Sequence, residues 1–395
     1  MYLTSFIHRQ DLFQIAERWF CGRPEPDDAL RLTEMLISDG FVVAETIGSI
    51  SRLLLETIHQ GAIQEERIHF KGELRERIFS CRATATPRVG ELFREYEANP
   101  DFYYREAPIN AVVYLDEWGC FLGLSRIKRP KRIAEKANRK IANWIFQIVQ
   151  DTARNMAERR AEKYGIPLHC LLTPEKEMIR EFIEAEKTVA RSFRDGTIKF
   201  DRAALSINDI GGMKIVADET RLAHLEKILA GDPALKVVDR ENYQGDYRAR
   251  SMLLEVAWDP ERVCRRYADG RCWEKFLNRG IPEDKLKKGL EPLLDRAEPK
   301  IIVELILSTY PDMVESEFGS SIHEERILAQ RYNKDYKGYV PTNVEFLLEY
   351  LFAVGFSPQI HISEIPIKLW GRYLPDTLIS HIRSLYHLPE YDLLY

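Results

Sequence analysis

Apolar residues recur at three- and four-residue spacing in "DDALRLTEMLISDGF" and "AETIGSISRLLLETIHQGAIQ". That period predicts helices through residues 1–80, with Asp27 or Asp28 capping the first long one. "TATPRVGELFREYEANP" predicts a turn and then a short helix. The period changes at "INAVVYLDEWGCFLGLSRI", where 109–114 and 120–124 are β-rich runs around the turn-like "LDEWG", predicting a hairpin. A long helix is expected from about residue 133 to Gly165, and another from Thr173, with Thr173 as cap and Pro174 at the first helical position. "LSINDIGGMKIVAD", "LKVVDREN", "YRARSMLLEVAW" and "PKIIVELILSTY" predict strands, with the amphipathic helix "TRLAHLEKILAGD" between the first two. The tail returns to helices, "NVEFLLEYLFAVGF" among them. The expected fold class is α/β or α+β: a mixed sheet flanked by helices, with helical N-terminal and C-terminal extensions.

Composition narrows the function classes. The 395 residues are 45% hydrophobic and 30% charged, the balance of a globular chain with a substantial core. No apolar run approaches the roughly 18 residues of a bilayer span, so no membrane role is expected. The first residues lack the apolar core of a signal peptide, and a cytoplasmic protein is expected. The six cysteines are scattered, with no C-x-x-C pair. A net charge of −5 argues against wholesale coating of nucleic acid.

Positive charge is instead local. "SRIKRPKRIAEKANRK", residues 125–140, holds eight basic residues and one acid. Continued as a helix, it sets Lys128, Arg132, Lys136 and Arg139 on one face, where like charges repel unless an anion relieves them. A solvated helix face, a nucleic-acid patch and a pocket for nucleotide phosphates all answer to this pattern. Two acids sharpen the choice. Asp209 stands between "LSIN" and "IGG", and Glu304 lies inside the apolar run "KIIVELILS". A carboxylate in the middle of an apolar strand is costly without a partner, a metal or a proton. Two such acids converging across a sheet could hold Mg²⁺, which takes oxygen ligands and keeps waters beside substrate phosphates.

The ordered segments resemble the synthetase domain of the RelA/SpoT family. "RIKRPKRIAEK" carries Arg126, Lys128 and Lys136 at the family spacing, with Arg132 where the family has serine. "DIGGMKIV" carries Asp209, Gly212 and Lys214; "GDYRARSMLLEV" carries Tyr247 and Arg248; "VELILST" carries Glu304 and Thr309; "SEFGSSIHEERI" carries Glu317 and His323. The resemblance implies a nucleotidyltransferase-like core that moves pyrophosphate from ATP to the 3′-hydroxyl of GDP or GTP. By the same resemblance Arg126, Lys128, Arg132 and Lys136 grip the donor's phosphates. Asp209 and Glu304 hold Mg²⁺, with Glu304 also a candidate base. Tyr247 stacks on the acceptor base, and Lys214, Arg248 and His323 complete the acceptor side.

The sequence departs from the family pattern in three places. A stretch of 72 residues parts Lys136 from Asp209, Ile306 and Ser308 replace Gln and Arg in the last strand, and Ser251 replaces a His. The expected organisation is therefore a helical region over 1–100, the nucleotidyltransferase-like domain over 101–335 with a helical insertion at about 141–200, and a helical region over 336–395. Two other functions stay open. One is a catalytically silent nucleotide-sensing module. The other is an RNA-associated protein using the basic 126–160 face. A homo-oligomer is also left open.

Overall fold

The computed structural model describes residues 1–395 except 82–85, 246, 295, 321, 323, 326, 329–337 and 387–395. Its first half runs β1 (Tyr2–Leu3), α1 (Arg9–Phe20), α2 (Asp28–Ile58), β2 (Gln64–Phe70), α3 (Lys71–Ser80), α4 (Pro87–Ala98), β3 (Pro108–Leu115), β4 (Phe121–Ile127), α5 (Pro130–Tyr164) and α6 (Glu175–Asp195). The second half runs β5 (Ser206–Ile207), β6 (Gly211–Val216), α7 (Glu219–Gly231), β7 (Leu235–Gln244), β8 (Arg248–Ala257), α8 (Pro260–Asp269), α9 (Glu283–Leu286), β9 (Lys300–Ser308), α10 (Tyr310–Phe318), α11 (Tyr339–Val354) and α12 (Pro375–Ser384). The fold is a mixed sheet flanked by helices, as the periodicity predicts.

The sheet order is β2-β3-β4-β6-β9-β8-β7. Every neighbouring pair is antiparallel except the central β6–β9 pair, which is parallel. Alternation along β9 shows how the two faces differ. Ile301, Val303, Leu305 and Leu307 are fully buried. They join Val43 and Ile47 of α2, Ile145 of α5 and Leu351 of α11 in one large core. On the opposite face Leu124 and Val216 pack with Leu74, Phe93, Met313 and Phe318 of α3, α4 and α10. Farther along that second face the strands carry Arg126, Gly212, Lys214, Glu304 and Ser251. Apolar packing stops there, and the face becomes polar.

The adjacent glycines of β6 serve opposite faces. A Cβ on Gly211 would come within 2.5 Å of Val43 Cγ1, so α2 can cross the strand only over a glycine. A Cβ on Gly212 would meet Glu304 Oε2 at 3.5 Å, so the bare backbone leaves the lane beside that carboxylate open. Helix α5 starts at Pro130, where a missing N–H costs little, and stops at Gly165 in the left-handed region at φ 63°.

Four local expectations are corrected. Gln64–Phe70 is not helical but the edge strand β2, and only Ile68 of it is buried, so no alternating stripe marks it in the sequence. Asp27 makes no side-chain cap on α2; Asp28 is buried and accepts from Trp19 Nε1 at 2.8 Å. Thr173 does not cap α6 but accepts a hydrogen bond from Arg160. Lys128 precedes Pro130 and so lies outside the helix that carries Arg132, Lys136 and Arg139. The large core draws on residues from Met1 to Leu385, and hence on all three sequence regions. Among the described residues no helix is long and apolar enough to cross a membrane.

Candidate active site

Strand register builds the centre of the site. Arg126 pairs with Gly212, Gly212 with Glu304, and Glu304 with Leu253, one row across β4, β6, β9 and β8. Side chains in one row stand on the same face. Arg126 and Glu304 therefore flank a strand position that has no side chain. The Ser251 hydroxyl donates to Glu304 Oε1 at 3.3 Å, giving the carboxylate one fixed partner.

Asp209 arrives from the connection between β5 and β6. Lys128 Nζ lies 3.1 Å from its Oδ2 and also donates to its main-chain oxygen. Lys136, in the second turn of α5, donates to the same Oδ2. The Lys128 N–H meets the Ile210 carbonyl at 2.8 Å, which fixes the lysine's backbone beside β6. Burial alone would raise the Asp209 carboxyl; the attraction of Lys128 and Lys136 overrides it and holds the group at about 2. Burial lowers Lys128 to about 8, against the attraction of Asp209 and with the repulsion of Lys136. One carboxylate cannot neutralise two ammonium groups, so the cluster keeps a surplus positive charge.

Asp209 and Glu304 open onto one cleft of about 470 Å³, with Lys136, Arg139, Tyr243 and Ser251 on its walls. On the β4–α5 side, Arg126, Lys128, Arg129 and Arg132 line a basic hollow of about 210 Å³; Arg132 is also paired with Glu135. On the far side Tyr243 hydrogen-bonds Glu241 at 3.0 Å, and its ring stacks on Tyr247 with centroids 6.4 Å apart. Beyond Tyr243 a further cavity of about 500 Å³ is lined by Arg248, Ser308, Thr309 and Asp312. The Arg248 N–H donates to Asp312 at 2.9 Å.

Beneath the row, Lys214 and Glu317 line a small cavity of about 40 Å³ together with Arg126, Lys128 and Glu304. Glu317 is buried in a network that joins α3 to α10. Lys71 Nζ meets it at 2.8 Å, Arg75 Nε donates to its carbonyl at 2.9 Å, and Arg75 Nη2 reaches Glu324 at 3.0 Å. Burial would raise the Glu317 carboxyl, but Lys71, Arg75 and Lys214 pull it down to about 2.

Lys214 itself is poorly satisfied. Its one hydrogen bond among the described residues goes to Met313 Sδ at 3.4 Å, a weak acceptor. Burial lowers its ammonium group from 10.5 to about 8, with Glu317 opposing. Since the folded protein holds the charged form against a pKa lowered from 10.5 to about 8, Lys214→Met is expected to raise stability by up to about 3 kcal/mol at neutral pH. Between about 8 and 10.5 the unfolded chain binds the extra proton at this residue, so wild-type stability climbs with pH and the variant's advantage shrinks. Urea denaturation of both proteins at neutral and at high pH measures the difference; an advantage that grows with pH contradicts the assignment.

The site thus brings together Arg126, Lys128, Lys136, Asp209, Lys214 and Glu304. Arg132 lies in the adjoining hollow, and Tyr247 and Arg248 lie beyond Tyr243. His323 lies outside the described residues. Sequence reasoning missed Tyr243, which enters the cleft in place of Tyr247. Its signal was the period-2 alternation of Asp239, Glu241 and Tyr243 along β7, all three of which reach the cleft. It also missed Lys71 and Arg75, whose partners lie more than 240 positions away.

The donor set fits a hard divalent ion. Two carboxylates share a cleft that is roomy enough for water and phosphate oxygens. Among the described residues no group of three or more His, Cys, Asp or Glu forms a protein metal cage. Asp209 and Glu304 are the cleft carboxylates that could contact such an ion, whose other oxygens would come from water and substrate. Comparison of the chain with protein-family models, curated proteins and solved structures gave no match.

Proposed function

We propose that the chain is a Mg²⁺-dependent nucleotide pyrophosphotransferase of the RelA/SpoT-like kind, which moves pyrophosphate from ATP to a nucleotide 3′-hydroxyl. The observation that carries this reading is the Arg126–Gly212–Glu304 row, with Asp209 beside it and a basic hollow on one flank. In the reaction the acceptor oxygen bonds to the β-phosphorus, the bond from that phosphorus to the α-phosphate oxygen breaks, and AMP leaves. The hydroxyl proton passes to Glu304, which the Ser251 hydroxyl orients. Arg126, Arg129 and Arg132 bind donor phosphates as planar forks, while Lys128 and Lys136 act as compact charges. Tyr243 and Tyr247 offer a stacked aromatic platform for the acceptor base. Magnesium, when bound, neutralises phosphate charge and aligns the donor. Most of the rate enhancement then comes from positioning and electrostatics, as phosphoryl transfer requires.

ATP labelled at the β-phosphate, incubated with the folded protein, Mg²⁺ and GDP, GTP, ATP or tRNA as acceptor, should yield AMP and an acceptor two phosphates longer. No transfer to any acceptor withdraws the activity. A nucleotide-sensing role is the second reading, favoured by Ile306 and Ser308 where the family has Gln and Arg. Tight nucleotide binding without turnover supports it.

A further inference from the structure

Asp209 is already occupied by cations of the chain's own. Both Lys128 and Lys136 bond the same carboxylate oxygen, Oδ2, and Lys128 also bonds the Asp209 carbonyl. Each lysine stands at the border of a cavity: Lys128 faces the hollow shared with Arg126, Arg129 and Arg132, and Lys136 faces the Asp209–Glu304 cleft. The ammonium groups therefore need only short side-chain movements to leave the acid for an anion. A bare divalent ion approaching Asp209 meets two positive charges in contact with its intended ligand. A polyphosphate reverses that field: its oxygens draw the lysines away and uncover Oδ2.

Resting on the pyrophosphotransferase reading, we propose that Lys128 and Lys136 are resident counter-cations of Asp209, and that a divalent metal enters this site only together with a nucleotide polyphosphate, to which both lysines transfer. The two lysines thereby act as positioning residues that order binding. They select the metal–nucleotide complex over the free ion and keep the acids from collecting metal without substrate. Positive coupling between metal and polyphosphate follows directly, since each uncovers the partner of the other.

The test is equilibrium binding on the full chain. Mn²⁺ is titrated by electron paramagnetic resonance and by calorimetry, alone and with α,β-methylene ATP, whose Pα–CH₂–Pβ bridge cannot be cleaved. With the Mn²⁺ held by the analogue in protein-free solution measured separately and subtracted, wild type should bind Mn²⁺ at least about tenfold more tightly with the analogue bound. Lys136→Met should strengthen binding of Mn²⁺ alone by about tenfold and shrink the coupling. Lys128→Gln should act in the same direction, and serves if the first variant does not fold. Asp209→Asn should remove the analogue-dependent Mn²⁺ site. Equal Mn²⁺ affinity with and without the analogue, or free-metal affinity unmoved in the folded lysine variants, overturns the counter-cation role while leaving the transferase reading standing. Failure of the analogue to bind with or without metal removes both.

Discussion

Asp209→Asn and Glu304→Gln should each lower pyrophosphate transfer by about 10³-fold or more while leaving ATP bound, because charge stabilisation and proton acceptance are lost but shape is kept. The two variants should differ in affinity. Asp209→Asn strips the partner from Lys128 and Lys136, so both ammonium groups face the polyphosphate and metal-free ATP should bind more tightly. Glu304→Gln keeps the Ser251 contact within reach and leaves the lysines paired, so the affinity for metal-free ATP should hardly change. Product formation from β-labelled ATP and calorimetric titration give the two numbers separately. Wild-type turnover in either variant removes that acid from the chemistry.

Glu317→Gln should destabilise the protein by about 3–5 kcal/mol, since it leaves Lys71 and Arg75 as buried cations with one counter-charge fewer. Both residues are almost wholly buried, at 5% and 0% exposure, so water cannot take the place of the carboxylate. The pH dependence has a definite sign. The folded Glu317 carboxyl lies at about 2 against 4.5 for the free group. Its contribution is present above 4.5 and disappears as pH falls toward 2. Urea denaturation at pH 7 should show the loss in the variant. A series down to acid should show the gap between the two proteins closing. A Glu317→Gln protein as stable as wild type at neutral pH contradicts the network.

Much of the sheet was legible in the sequence because the strands that build the site carry strong patterns. "KIIVELILS" interrupts an apolar run with one acid, and "INAVVYLDEWGCFLGLSRI" folds as the hairpin it spells. Glu304 could be picked out because an acid inside an apolar strand is expensive, and Asp209 because "DIGGMK" fits the resembled family's pattern. What stayed hidden has physical causes. β2 is an exposed edge strand with one buried side chain, so it lacks a stripe. β5 is two residues long and is specified by its pairing with β1 rather than by local preference. Charge spacing puts Lys128 on a helix face because it says nothing about where Pro130 starts the helix. Lys71 and Arg75 read as ordinary surface charge until their partners arrive from α10 and residue 324.

The one parallel contact in the sheet has a biosynthetic consequence. Parallel neighbours need a crossover, and the chain between the end of β6 at Val216 and the start of β9 at Lys300 holds α7, β7, β8, α8 and α9. Glu304 therefore reaches Gly212 only after that whole excursion has been made and the last strand has slotted between β6 and β8. Such long-range closure is slow compared with local folding. On the ribosome Arg126, Lys128, Arg129 and Arg132 are made long before Glu304, whereas Glu324, Ile327 and Leu328, which also line their hollow, follow it. The positive charge of the site is thus made first, and the walls that enclose it are made last.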